Sequence, residues 1–279
     1  MLRPPPRQRG VFGRMESMMD TALLGFTLAG LAVGFIVGMT GVGGGSLMTP
    51  ILLWFGIHPT TAVGTDLLYA AITKASGVGV HSRHQNIDWR VTGWLSLGSV
   101  PAAAVTLWGL HHWAGDAQGA NGLIKQALAY VLLLTALAIV FKPRLQRFAS
   151  RHGDDRPRMQ PATLNSLTVL TGAVLGVMVS LTSIGAGVLG TVALFLLYPF
   201  LPTRRLVGTE IAHAVPLTLV AGLGHASMGN LDWALLGHLL LGSLPGIWLG
   251  SHMAGRVPDA LLRPALAVML ALIGLNMLR

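Results

Sequence analysis

Apolar residues in this chain run in stretches of about twenty, the length an α-helix needs to cross a hydrocarbon core. They fall at 21–40, 61–80, 91–110 and 123–141 in the first half and at 165–184, 207–227, 233–251 and 260–278 in the second. Each predicts a membrane helix. Two further apolar pieces, 46–57 and 188–200, are shorter, contain proline and are entered through glycine-rich turns. The turns read Thr40-Gly41-Val42-Gly43-Gly44-Gly45 and Thr182-Ser183-Ile184-Gly185-Ala186-Gly187. These pieces predict half-helices or re-entrant segments that do not cross. A barrel would instead alternate apolar and polar positions over segments of about ten residues.

The two halves say nearly the same thing. Val63-Gly64-Thr65-Asp66 returns as Val207-Gly208-Thr209-Glu210, and Asn86-Ile87-Asp88-Trp89 as Asn230-Leu231-Asp232-Trp233, both offset by 144 positions. In the same register His81 falls on His225, and Gly98-Ser99 and Pro101 fall on Gly242-Ser243 and Pro245. The expectation is a tandem duplication whose function sits between two like halves. The fold class is therefore all-α and polytopic: two repeats of four transmembrane helices each, with glycine-rich broken or re-entrant half-helices. The segments are a basic cytoplasmic tail (1–19), membrane repeat 1 (20–141), a basic cytoplasmic linker (142–163) and membrane repeat 2 (164–279).

Composition agrees with a chain in lipid. It is 52% hydrophobic and 10% charged, against about 25% charged in a soluble domain. Its 36 glycines suit helices whose backbones approach closely. A net charge of +9 would suggest nucleic acid in a soluble protein, but the location of the charge removes that reading. Arg3, Arg7, Arg9 and Arg14 precede the first apolar run, and Lys142, Arg144, Arg147, Arg151, Arg156 and Arg158 fill the central polar break. These mark loops held against anionic lipid. If the short pieces are re-entrant, thirteen Lys and Arg face the cytoplasm and the positive-inside rule favours eight crossings with both termini inside. An odd number of spans per half would instead give inverted repeats and drive the central linker outside. The chain has no cysteine, which excludes disulfides and thiolate sites.

Few residues offer chemistry. Asp66 and Glu210 are the acids at membrane depth, and they share a repeat position. An intramembrane carboxylate marks a functional site by default. The bland alternative makes Thr65 and Thr209 N-caps, with the acids in the first helical turn. The glycine-rich breaks, flanked by Thr40, Ser46, Thr182 and Ser183, would leave half-helix N-termini able to bind an anion through backbone N–H groups. Lys74 is the basic residue set well inside a segment; it would attract an anion, pair with Asp66 on its own helix face, or snorkel to the interface. His213, one turn after Glu210, is a weaker candidate for sharing a proton with it, against a neutral histidine bonded to a carbonyl. Trp89 and Trp233 read as interface anchors, and the Asn-x-Asp-Trp turns as caps for the next helix. The candidate substrate-binding set is Thr40, Gly41, Gly43, Gly44, Gly45, Ser46, Lys74, Thr182, Ser183, Gly185 and Gly187. The candidate proton-coupling set is Asp66, Glu210 and His213. No metal signature, P-loop or nucleophile elbow is present, so neither metal, cofactor nor enzyme is expected.

With these residues in view, the chain resembles the TauE/SafE sulfite exporter family of integral membrane permeases. The resemblance rests on Gly38 through Pro50, on Ala62-Val63-Gly64-Thr65-Asp66, on His81 with Asn86-Ile87-Asp88-Trp89, and on Gly242 through Ser251, and it covers about 21–278. It implies a duplicated four-helix unit that moves sulfite, sulfoacetate or another sulfonate, driven by the proton gradient. Two departures stand out. Ser183 and Ala186 replace the glycines found at Gly41 and Gly44, and Lys74 has no place in the family pattern. The expected function is thus a proton-coupled secondary transporter, an exporter of a small sulfur anion in the inner (plasma) membrane, with the anion sought first in the first half. Its partners would be that anion, protons and lipid, not nucleic acid; a homo-oligomer stays open. The rival readings are a cation permease using the paired acids and a non-catalytic membrane partner protein.

Overall fold

A computed structural model of the chain describes residues 23–37, 47–113, 117–152, 160–252 and 259–278. Among these, every regular element is an α-helix: α1 (Leu23–Val37), α2 (Met48–Trp54), α3 (Pro59–Arg83), α4 (Trp89–Trp113), α5 (Ala117–His152), α6 (Pro161–Thr182), α7 (Val188–Leu197), α8 (Thr203–Ser227), α9 (Trp233–His252) and α10 (Asp259–Met277). The eight long apolar runs and the two short ones all became helices. Among the described residues five spans, within α4, α5, α6, α8 and α9, are long and apolar enough to cross a membrane. Helix α3 has 25 residues but is less apolar because it carries Asp66 and Lys74. One boundary moved: α5 runs on to His152, through residues expected to be linker.

The turns after α3 and α8 show how local sequence sets the ends. Gln85 and Gly229 take positive φ (53° and 75°), and the following aspartates cap the next helix. Asp88 Oδ1 accepts from the N–H groups of Arg90 and Val91, each at 3.2 Å. Asp232 Oδ1 accepts from Leu235 N–H at 2.9 Å. Beside these caps Trp89 and Trp233 are exposed, as interface anchors are.

Burial is arranged for lipid. Large apolar side chains such as Leu97, Val105, Tyr130, Leu170 and Leu241 face outward, while Asp66, Lys74, Glu210, His213 and His225 are buried. Polar groups point inward because only there do they find partners.

Helix directions follow from close approaches at glycine. A Cβ on Gly172 or Gly176 of α6 would strike the backbone of Leu95 or Ser99 on α4, so α4 and α6 run parallel. On α1, Gly30 and Gly34 meet Leu239 and Ser243 of α9 in the same way, so α1 and α9 run parallel. Helices α3 and α8 are antiparallel: Gly64 lies against Asn230 and His225, and Gly208 against Asn86 and His81. Thr65 at the start of α3 accepts from the N–H of Asp232, just before α9, at 3.2 Å. Leu68 and Tyr69 then pack with Leu235, Leu236 and Leu239, so α9 also runs parallel to α3.

These directions correct the eight-crossing expectation. Since α1 and α3 both run parallel to α9, the chain must return across the bundle between them, through α2. The matching set, α6 parallel to α4 and α4 parallel to α8 through Thr92–Thr209 and Ser99–His213, requires the same of α7. Helices α2 and α7 thus each lie on the return path between two parallel helices. The ends of α5 and α6 that flank the central linker therefore sit at the opposite end of the bundle from the start of α1 and the end of α10.

Candidate functional site

The described glycine-rich break lies between α6 and α7. Helix α6 ends at Thr182, whose Oγ1 accepts from Ile184 N–H at 3.1 Å. Ser183 adopts a left-handed conformation, φ 57°, and its N–H returns to Val179 O at 2.7 Å. Gly185 follows at φ 120°, where a side chain would be strained. Helix α7 then begins, anchored by Gly190 N–H to Gly185 O at 2.9 Å and Thr191 N–H to Gly187 O at 3.1 Å. Residues 182–188 are all buried. Irregular backbone at membrane depth is tolerated when it is buried in protein or lines a cavity.

Two side chains from the antiparallel pair α3 and α8 meet at this break. Lys74 Nζ donates to the carbonyl oxygen of Ala186 inside it and stands 4.0 Å from Glu210 Oε1. Glu210 in turn packs on the first turn of α7: a Cβ on Gly190 would touch its Cγ at 3.1 Å and its Oε1 at 3.4 Å. The pairing of Lys74 is thus across helices, with Glu210, and not along its own helix with Asp66. Both groups are buried, so each is the counter-charge that makes the other tolerable.

Asp66 does the corresponding job at the other short helix. Its Oδ2 accepts from Thr49 N–H at 3.1 Å and from Thr49 Oγ1 at 2.5 Å, so the carboxylate holds the first turn of α2. The Asp66 carboxylate also faces the Ser183 hydroxyl and, at longer range, the Lys74 ammonium. Thr65 and Thr209 are not N-caps, since α3 begins six residues earlier at Pro59 and α8 at Thr203. Instead their hydroxyls receive the N–H groups of Asp232 and Asp88 from the opposite half.

His213 is bonded through Nε2 to Ser99 Oγ at 2.8 Å, which ties α8 to α4; no bond between it and Glu210 is formed. His225 Nε2 bonds Ser180 O at 2.8 Å, one turn before the break. Several buried atoms around the two short helices make no hydrogen bond among the described residues: Asp66 Oδ1, Glu210 Oε1, Ser183 Oγ and His213 Nδ1. A buried polar atom without a partner is costly, and a cluster of them is where water or a polar ligand is accommodated.

Of the sequence candidates, Lys74, Asp66, Glu210, His213, Thr182, Ser183, Gly185 and Gly187 gather around the α6–α7 break. Thr40, Gly41, Gly43, Gly44, Gly45 and Ser46 lie outside the described residues. Sequence reasoning missed Thr49 and Ser99. Ser99 had a usable signal, since Gly98-Ser99 recurs as Gly242-Ser243. Thr49 had none beyond its place after the first glycine run.

The family model described as Sulfite exporter TauE/SafE matches residues 26–277. The chain is 42% identical over 209 residues to a protein of Bacillus subtilis (strain 168) named Probable membrane transporter protein YjnA, covering 75% of this chain and 81% of that one. It is 27% identical over 253 residues to Probable membrane transporter protein YdhB of the same organism, covering 88% and 96%. A third relative, Probable membrane transporter protein MJ0441 of Methanocaldococcus jannaschii, is 25% identical over 203 residues, 69% of each chain. No solved structure matches the chain.

Proposed function

The chain belongs to the sulfite exporter TauE/SafE family of membrane transporters, and from that membership and the buried site together we propose a proton-coupled secondary transporter that exports a small sulfur-containing anion such as sulfite, sulfoacetate or another sulfonate. One observation carries the reading. A buried lysine reaches from α3 into the broken backbone before α7 and meets a carboxylate there. A cation, the donor end of a half-helix and a serine hydroxyl are what a sulfonate or sulfite oxygen requires. The carboxylates Asp66 and Glu210 are the groups that can carry a proton. The described contacts support a two-fold relation between the halves, with the axis in the membrane plane, because α3 and its repeat mate α8 are antiparallel and bonded reciprocally. Alternating access then comes from one half rocking against the other.

Helix directions also support one orientation in a plasma membrane. Arg83, Arg90, Lys142, Arg144, Arg147, Arg151, Arg204, Arg205 and Arg263 lie at helix ends on the side of the central linker, and Lys125 at an end on the other. The positive-inside rule then favours the linker end of the bundle in the cytoplasm, with the start of α1 and the end of α10 outside, the reverse of the orientation expected from sequence.

The test is flux through protein reconstituted in liposomes, with sulfite, thiosulfate, sulfoacetate and taurine offered in turn under an imposed pH gradient. Transport of a sulfur anion that Asp66→Asn and Glu210→Gln render indifferent to pH supports the reading. Cation flux that ignores all four anions overturns it in favour of a cation permease.

A further inference from the structure

Glu210 and Asp66 face the site differently, and the difference sets the sign of coupling. Asp66 Oδ2 is engaged with α2 through two donors of Thr49, while its Oδ1 receives none among the described residues. Glu210 Oε1 receives no hydrogen bond among the described residues; its counter-charge is Lys74 at 4.0 Å. The other elements packed on it bring Gly190 from α7 and, at longer range, Lys142 from α5. On its own helix His213 is bonded to Ser99 of α4. With that imidazole neutral and both carboxylates ionised, the buried cluster holds two negative charges against the one positive charge of Lys74. An arriving anion meets this excess, and the ammonium it needs is already taken.

Resting on the anion reading above, we propose that Glu210 is the coupling acid and that one proton binds to its carboxylate together with each anion. Protonation converts the Glu210 carboxylate to a neutral acid, leaves Asp66 and Lys74 balanced, and releases the Lys74 ammonium to the substrate beside Ser183 and the start of α7. No bond other than the O–H of Glu210 is made. The substrate site is built from Lys74 of the first half and the α6–α7 break of the second; at the start of α2 the donors of Thr49 are already taken by Asp66.

The experiment is anion binding to purified protein in a weakly buffered solution carrying a pH indicator. Thiosulfate and sulfoacetate are the probes, because their charge is constant between about pH 6 and 8; sulfite is run after subtraction of its own titration. The expected result is uptake of one proton per anion bound and an apparent Kd that rises about tenfold per pH unit once Glu210 is ionised. Glu210→Gln should bind with a Kd independent of pH. Proton release on binding, binding with no proton exchange, or an undiminished pH slope in Glu210→Gln overturns the proposal and leaves the anion reading standing. Should none of the three anions bind, both fall. The proton count on the unmodified protein stands even if the variant does not fold.

Discussion

The N–H of Asp88, in the turn after α3, donates to Thr209 Oγ1 on α8 at 2.9 Å. The turn after α8 does the same to α3, Asp232 N–H meeting Thr65 Oγ1 at 3.2 Å. Each half thus fastens the end of its central helix onto the other half, far along the chain.

Replacing Thr209 by Val keeps the shape and removes the acceptor. The Asp88 N–H is then left without its partner, at a cost of about 1–3 kcal/mol. A lower midpoint of thermal unfolding in detergent checks this. Thr65→Val acts at the far end of the pair, so the two losses should add.

Gly208→Ala should be harsher than its chemistry suggests. The new Cβ meets the carbonyl oxygen of Asn86 and the His81 ring, and backbone in a capped turn has little room to retreat. Overpacking of this kind costs about 1–3 kcal/mol. Gly237→Ala on α9, with nothing within 4 Å, is the control. Equal yields of folded protein from the two variants would disprove the crossing geometry.

Lys74→Ala strands Glu210 in a buried site without counter-charge. Breaking one side of such a pair costs about 3–5 kcal/mol. Adding Glu210→Gln should recover most of the thermal stability and none of the anion binding. That split in a double-mutant comparison separates the structural role of the pair from the role of the ammonium in recognition.

Because the chain has no native cysteine, single cysteines report topology cleanly. Ser82, at the end of α3, and Ser227, at the end of α8, are both exposed and lie at opposite ends of the bundle. In intact cells a membrane-impermeant maleimide should label Ser227→Cys and spare Ser82→Cys until the membrane is opened. The reverse pattern would invert the proposed orientation.

The sequence by itself determined what depends on short-range order. Helix positions were legible because about twenty apolar residues are what a bilayer requires. The caps at Asp88 and Asp232 were legible because side chain and N–H lie two or three residues apart. The repeat register brought Asp66 and Glu210 forward together, and both proved buried against short helices. Only the tertiary structure decided the direction of those helices. Seven and ten residues are too few to span lipid, so whether α2 and α7 turn back or carry on depends on what packs around them. Charge counting along the chain took them as re-entrant and reached an even number of passes; the parallel directions of α1, α3 and α9, and of α4, α6 and α8, instead call for a return through each short helix. The partners of Lys74 were equally out of reach, since Ala186 and Glu210 are 112 and 136 positions away. A buried charge takes whatever counter-charge the fold delivers, and local spacing pointed to Asp66 while the antiparallel crossing of α3 and α8 delivered Glu210.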